Sequence, residues 1–294
     1  MTWIDLENPT SEEITFIMEE YTIPPVIAYE LKSKSVRSKV ERFENLLYLV
    51  LHFPLVEHAH CDNREQEVDF IIGNDVIITT HYEHIDFIHE FSKSLEVETI
   101  LERDDLGTHA GYLFFYIMKG AYTHLLDELD HLSTKLSQIE ENIFSKKEKQ
   151  MVIEISFLNR TLLNFKKAIR FHDDILTSLS QNKNSLFDEK FTHYISSLMG
   201  EYTKVRNQLD AHKEVLDELR QTNNTLLSTK STEIQKTLTV AAATMLPATL
   251  VFTALPVVIS LDIITSAQEL YAVFIGTGVL VIYTFIYFKI RKWF

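Results

Sequence analysis

Apolar positions in this chain follow two rhythms, and the change from one to the other divides it. Near the start, Trp3 to Leu6 reads as a strand. Pro9 and Thr10 then precede Ser-Glu-Glu in a capping-box pattern that opens a helix with Ile14, Ile17 and Met18 inward. A short helix is predicted after Pro24 and Pro25. The run from Arg42 to Phe53 reads as one buried strand, and Val68 to Thr80 as two strands turned at Gly73, Asn74 and Asp75. Beyond these the period becomes helical. Leu125, Leu129, Leu132, Leu136, Ile139 and Ile143 keep a strict four-three spacing. Met151, Ile155, Leu158, Leu162, Phe165, Ile169, His172, Leu176 and Leu179 resume it after a lysine-rich break at Lys146 to Lys149. A third seam runs through Phe191, Ile195, Leu198, Tyr202, Val205, Leu209, His212, Leu216, Leu219, Asn223 and Leu226.

No proline lies between Pro54 and Pro247, so long helices are permitted there. The third seam is predicted to continue as one helix from about Asp188 to Pro256, on the order of 100 Å at 1.5 Å per residue. Thr237 to Leu261 holds 25 residues without a charge, and Leu270 to Phe288 holds 19 more. Each can cross a hydrocarbon core of roughly 30 Å. The connection from Asp262 to Glu269 has no Lys or Arg, whereas Lys230 and Lys236 precede the first span and Lys289, Arg291 and Lys292 follow the second. The positive-inside rule therefore puts both termini in the cytoplasm and the short acidic loop outside, with Tyr287 and Trp293 anchoring the exit. Asn223 to Lys236 has little else in the chain to pack against, so copies of the chain around an axis are the natural partners. His172, His212 and Asn223 sit at core positions of the seams. Register-fixing hydrogen bonds are their ordinary role, and a buried proton or metal switch the sharper one.

Charge narrows the function. The chain carries −14, and because the stretch from Lys230 onward is slightly basic, the part before it carries about −16. So acidic a body is unsuited to nucleic acid, which requires clustered Lys and Arg, and suits a cation. The lone cysteine, Cys61, fits a reducing compartment, and the first residues lack the basic start and apolar run of a signal peptide. Seven glycines, none in a phosphate-cradling loop, and the absence of a serine elbow leave an enzyme unsupported. His58, His60, Cys61 and Asp62 bring metal-ligand types together, but a solvated hairpin loop is the plainer reading. Asp127, Glu128, Asp130, Glu140 and Glu141 are expected on solvated helix faces, where weak divalent-ion binding is the alternative.

The order of parts resembles the CorA magnesium transporter family over nearly the whole chain. Four stretches carry the likeness: the opening Trp3-Ile-Asp-Leu, the Arg37 to Phe43 segment, Glu233-Ile-Gln-Lys-Thr-Leu-Thr through Leu246-Pro-Ala-Thr249, and Tyr287-Phe-Lys-Ile-Arg-Lys-Trp293. It implies an α+β cytoplasmic domain with long stalk helices plus two C-terminal transmembrane α-helices. The expected divisions are an αβ domain over 1–110, cytoplasmic helices and stalk over 111–236, spans over 237–261 and 270–288 joined by the loop 262–269, and a basic tail over 289–294. It also implies a homopentamer in the inner or plasma membrane. Its pore would be lined by Gln235, Leu238, Ala242, Leu246, Thr249 and Thr253, and would pass divalent cations. No cofactor is expected; Mg2+ or a transition metal is the transported or regulatory ion. The family's Gly-Met-Asn signature is replaced here by Pro256, Val257 and Val258, so magnesium selectivity does not follow from the likeness. Asp262 and Glu269 could instead concentrate cations at the mouth. Where a regulatory acid of the family is expected on the stalk, this chain has Gln221, beside Asp217 and Glu218. Two alternatives stand beside a pore: a proton-coupled zinc carrier of the same fold, and a membrane-anchored sensor or scaffold that does not conduct.

Overall fold

A computed structural model describes residues 1–55, 65–100, 109–181, 191–261 and 266–291, the side chains of 97–100 excepted. The chain divides into two compact units, Met1–Arg220 and Gln221–Phe294.

The first unit is built on a five-stranded mixed sheet. Its strands are β1 (Thr2–Glu7), β2 (Lys39–Arg42), β3 (Leu47–Pro54), β4 (Glu65–Ile72) and β5 (Val76–His81), in the order β1-β5-β4-β3-β2. β1 runs parallel to β5, and the other neighbours pair antiparallel. The expected single strand over Arg42 to Phe53 is instead a hairpin. β2 ends at Arg42, the Phe43 N–H donates to the Leu46 carbonyl at 2.9 Å, and β3 begins at Leu47. Glu44 and Asn45 supply the polar turn between them.

One sheet face is covered by α1 (Ser11–Glu20) and α2 (Pro25–Glu30). Ile14, Ile17, Ile27 and Leu31 close over Tyr48, Val50, Ile71 and Ile78. Thr10 caps α1 as expected, accepting from the Glu13 N–H while the Glu13 carboxylate accepts from the Thr10 N–H. The other face receives α3 (Asp86–Ile100), α4 (Gly111–Phe144), α5 (Glu148–Ile169) and α6 (His172–Ser180). Phe70 meets Phe114 edge-on at 5.2 Å, and Phe53 meets Phe87 at 4.9 Å. The α4 seam is buried at every predicted position. The second seam is broken at Arg170 and Phe171 into α5 and α6, a break no glycine or proline marks. After it, His172 lies wholly buried. Its Nε2–H donates to the His52 carbonyl at 2.9 Å, so its Nδ1 accepts from the Tyr122 hydroxyl at 3.1 Å. Burial pushes this imidazole down to about 4, so it is neutral at physiological pH and acts as a strut rather than a switch.

Polar groups are also buried under α2. Glu67 and Asp69 stand two apart on β4 and so share a sheet face, with Asp69 only 1% exposed. Glu67 Oε2 accepts from the Ser35 N–H at 2.6 Å, and Asp69 Oδ2 from the Thr80 hydroxyl at 3.2 Å. Burial raises both carboxyls, Asp69 further because of the Glu67 charge beside it. Since the folded state holds these protons more tightly, the stability the pair contributes is complete below the ordinary carboxylate range. It is lost as pH rises through the raised values. Asp69→Asn is accordingly expected to gain in melting temperature relative to the parent as pH is raised from about 5 to 9; parallel melts across that range test it.

The second unit holds the end of α7 (Phe191–Ser260) and all of α8 (Ala267–Ile290). The predicted continuity holds: α7 is one helix that includes Pro247 and Pro256, and it reaches Ser260. Asp188 lies outside the described residues. Both helices contain stretches long and apolar enough to cross a membrane, and neither stretch is buried within the chain.

Candidate functional site

An apolar helix in lipid has no hydrophobic face to direct it, so packing within the unit must define its sides. Along the apolar part of α7, the residues withdrawn from the surface are Val240, Ala243, Thr244, Pro247, Ala248, Val251, Leu255 and Val258. On α8 they are Leu270, Val273, Thr277, Val281, Thr284 and Phe288. Each set is a single stripe at three-four spacing, and Phe252 and Phe274 meet at 5.5 Å where the two helices pack. At about 100° per residue, Gln235, Leu238, Ala242, Leu246, Thr249 and Thr253 lie on the far side of α7, roughly 180° from its stripe. All six are exposed. This face is thus the one that α8 leaves uncovered.

Its chemistry is apolar with two hydroxyl levels. Thr249 Oγ1 donates to the Met245 carbonyl and Thr253 Oγ1 to the Thr249 carbonyl, each at 2.9 Å. With the proton committed to the helix, each hydroxyl oxygen presents lone pairs, which suits a cation or its hydration water. An open apolar groove of about 710 Å3 runs along the flank, lined by Leu246, Pro247, Thr249, Leu250, Val251 and Thr253 with Leu280 of α8. At the signature-equivalent positions, Pro256 and Val257 are exposed while Val258 belongs to the stripe withdrawn from the surface. Neither valine offers an oxygen side chain.

Glu269 has a structural task that the sequence reading did not assign. Ser266 caps α8, accepting from the Glu269 N–H at 3.3 Å, and the Glu269 carboxylate accepts from the Ser266 N–H at 3.2 Å. The Ser-x-x-Glu spacing was the available signal. Asp262 lies outside the described residues, as do His58, His60, Cys61 and Asp62. Among the described residues, no three or more His, Cys, Asp or Glu side chains gather as a metal site. Asp127, Asp130, Glu140 and Glu141 are exposed as expected, but Glu128 is half-buried, with one carboxylate oxygen shielded. Asp217 is tied to Lys213 at 3.1 Å and Arg220 at 3.3 Å, while Glu218 and Gln221 are exposed. His212 is half-buried and Asn223 only 1% exposed, so the third seam keeps its polar members inward.

Comparison with known proteins gives a consistent result. The family model described as CorA-like Mg2+ transporter protein matches residues 1–290. The cobalt/magnesium transport protein CorA of Thermotoga maritima is 20% identical over 296 residues, which span 99% of this chain and 83% of that protein. Among solved structures, the complete CorA magnesium transporter from Methanocaldococcus jannaschii superposes with a TM-score of 0.83 at 18% identity, covering 99% of this chain and 91% of that one. The full-length CmaX protein superposes with a TM-score of 0.76 at 13% identity, covering 98% and 88%. These likenesses establish the α+β fold with long helices and two apolar C-terminal helices.

Proposed function

The chain belongs to the CorA-like Mg2+ transporter family, and from that premise we propose that it moves divalent cations across a membrane through a path lined by α7. The observation that carries this reading is the exposed face Gln235, Leu238, Ala242, Leu246, Thr249 and Thr253, set opposite the stripe facing α8. Copies gathered about an axis would turn these faces inward and place rings of Thr249 and Thr253 oxygens along an apolar constriction. Five copies are the number the family resemblance implies.

In this reading, residues 1–236 lie in the cytoplasm, 237–261 and 270–288 span the inner or plasma membrane, and 262–269 face outward. The tail 289–294 returns to the cytoplasm. An inside-negative potential supplies roughly 4.6 kcal/mol per divalent ion for each 100 mV, so ATP need not drive the movement. With Pro256, Val257 and Val258 in place of Gly-Met-Asn, the ion is chosen without a side-chain amide at that level. The carbonyl of Phe252, which the imino nitrogen of Pro256 cannot bond, offers an oxygen nearby.

Uptake of Mg2+, Co2+, Ni2+ and Zn2+ into vesicles containing only this protein tests the proposal. Uptake of at least one, scaling with an imposed inside-negative potential, supports it. Uptake that requires a proton gradient favours a coupled carrier, and no uptake of any of the four leaves a membrane-anchored scaffold. At the mouth, Glu269→Gln keeps a side-chain oxygen for the cap but removes the charge. It is expected to lower uptake about two- to tenfold at low ionic strength and to leave it unchanged at high salt.

A further inference from the structure

The turn between α4 and α5 gathers a run of lysines, with the exposed Glu140 and Glu141 one turn behind it on α4. Lys146, Lys147 and Lys149 are all exposed there, and Glu148, the only acid among them, is 4% exposed. Large apolar side chains flank the lysines without cover: Phe144 is 66% exposed and Ile153 73%, with Val152 beside it. Lys146 holds a left-handed backbone with φ 66°, a position at a helix C-terminus where glycine is the unstrained choice. A solvated turn needs neither the strained lysine nor the bare phenylalanine. Basic groups around exposed aromatic and aliphatic side chains are the composition that enters the headgroup region of an anionic bilayer.

We propose that the α4–α5 turn docks on an anionic phospholipid surface through Lys146, Lys147 and Lys149, with Phe144 and Ile153 seated among the headgroups. Charge complementarity selects this occupant. The turn is cationic where the chain as a whole carries −14, and an anionic leaflet is the extended negative surface beside which a chain with two apolar spans already resides. Each lysine near such a surface improves binding roughly fivefold, too little to recruit a free protein. It is enough for one already held at the bilayer, because tethering makes the second contact intramolecular. The inference stands apart from transport: it requires the spans to be in lipid but not to conduct.

The test uses the full-length protein in nanodiscs of phosphatidylcholine alone or mixed with phosphatidylglycerol. An environment-sensitive fluorophore is attached at Ile153→Cys in a Cys61→Ser background. A blue shift of emission in the anionic discs, abolished by high salt and by combining Lys146→Glu, Lys147→Glu and Lys149→Glu, is the expected result. Identical emission in the two lipids overturns the proposal. So does a shift already present in neutral discs that survives the charge reversal, which identifies a second copy of the chain as the occupant. Should the reversed variant fail to fold, the corresponding three lysine-to-glutamine changes decide: a full blue shift retained in anionic discs overturns the proposal, and a reduced one supports it.

Discussion

Leu246→Trp is expected to lower divalent-cation uptake at least about tenfold in reconstituted vesicles, while leaving the assembled protein intact. Leu246 lies midway along the exposed face of α7, and in the proposed path an added indole on every copy would crowd the route the ion takes. The same bulk placed on α8 provides the control. Ile275, Val279, Ile282 and Ile286 lie roughly opposite the stripe that α8 turns inward, and each is exposed. Val279→Trp should therefore point into lipid and leave uptake within about twofold. Uptake assays on both variants, normalised to protein recovered as oligomer by size exclusion, separate the two outcomes. Equal loss in both would mean that bulk harms the bundle generally, and unchanged uptake in Leu246→Trp would remove this face from the path.

The largest stability effect is expected at His172. Its side chain is 0% exposed and serves two buried groups at once, the His52 carbonyl on β3 and the Tyr122 hydroxyl on α4. His172→Leu keeps the bulk but orphans both, at about 1–3 kcal/mol each, so a loss of about 2–6 kcal/mol is expected. His172→Gln, which can both donate and accept, should recover part of it. The pH dependence runs one way. Because burial holds the imidazole at about 4, below its unfolded value of 6.5, its contribution is fully present above pH 6.5 and declines as pH falls toward 4, by about 3 kcal/mol in all. Chemical denaturation followed between pH 7 and 4 should show this decline in the parent, and neither variant should retain that component. An identical acid slope in His172→Gln would assign the loss to other groups.

Features fixed by neighbours in the chain were legible from residues alone. The Thr10 capping box, the turn at Gly73, the α4 seam and the two uncharged segments each depend on a few adjacent positions. The β2–β3 hairpin was not, because β3 is buried on both faces and so lacks the alternation that marks a strand's limits. The break before His172 was hidden for a different reason. It serves a bond to a carbonyl 120 positions earlier, and nothing local announces so distant a partner. Glu67 and Asp69 carry no local sign of their burial, which comes from the sheet register and the cover of α2. In the candidate site, the residue types were readable but their direction was not. A span that is apolar all round carries no moment to say which side meets its neighbour, and only the withdrawn stripe from Val240 to Val258 supplies that.

The parallel pairing of β1 with β5 sets a timetable for synthesis. Thr2 to Glu7 bond to Val76 to His81, so the first of the five described strands has no partner until some seventy residues have followed it. Until then Ile14, Ile17 and Ile27 have no completed sheet to cover. The antiparallel neighbours β2 to β5 can zip by short turns, and the N-terminal strand is then added last, at the edge. A nascent chain arrested before His81 should therefore present its opening residues to chaperones and proteases, and one arrested well beyond it should not.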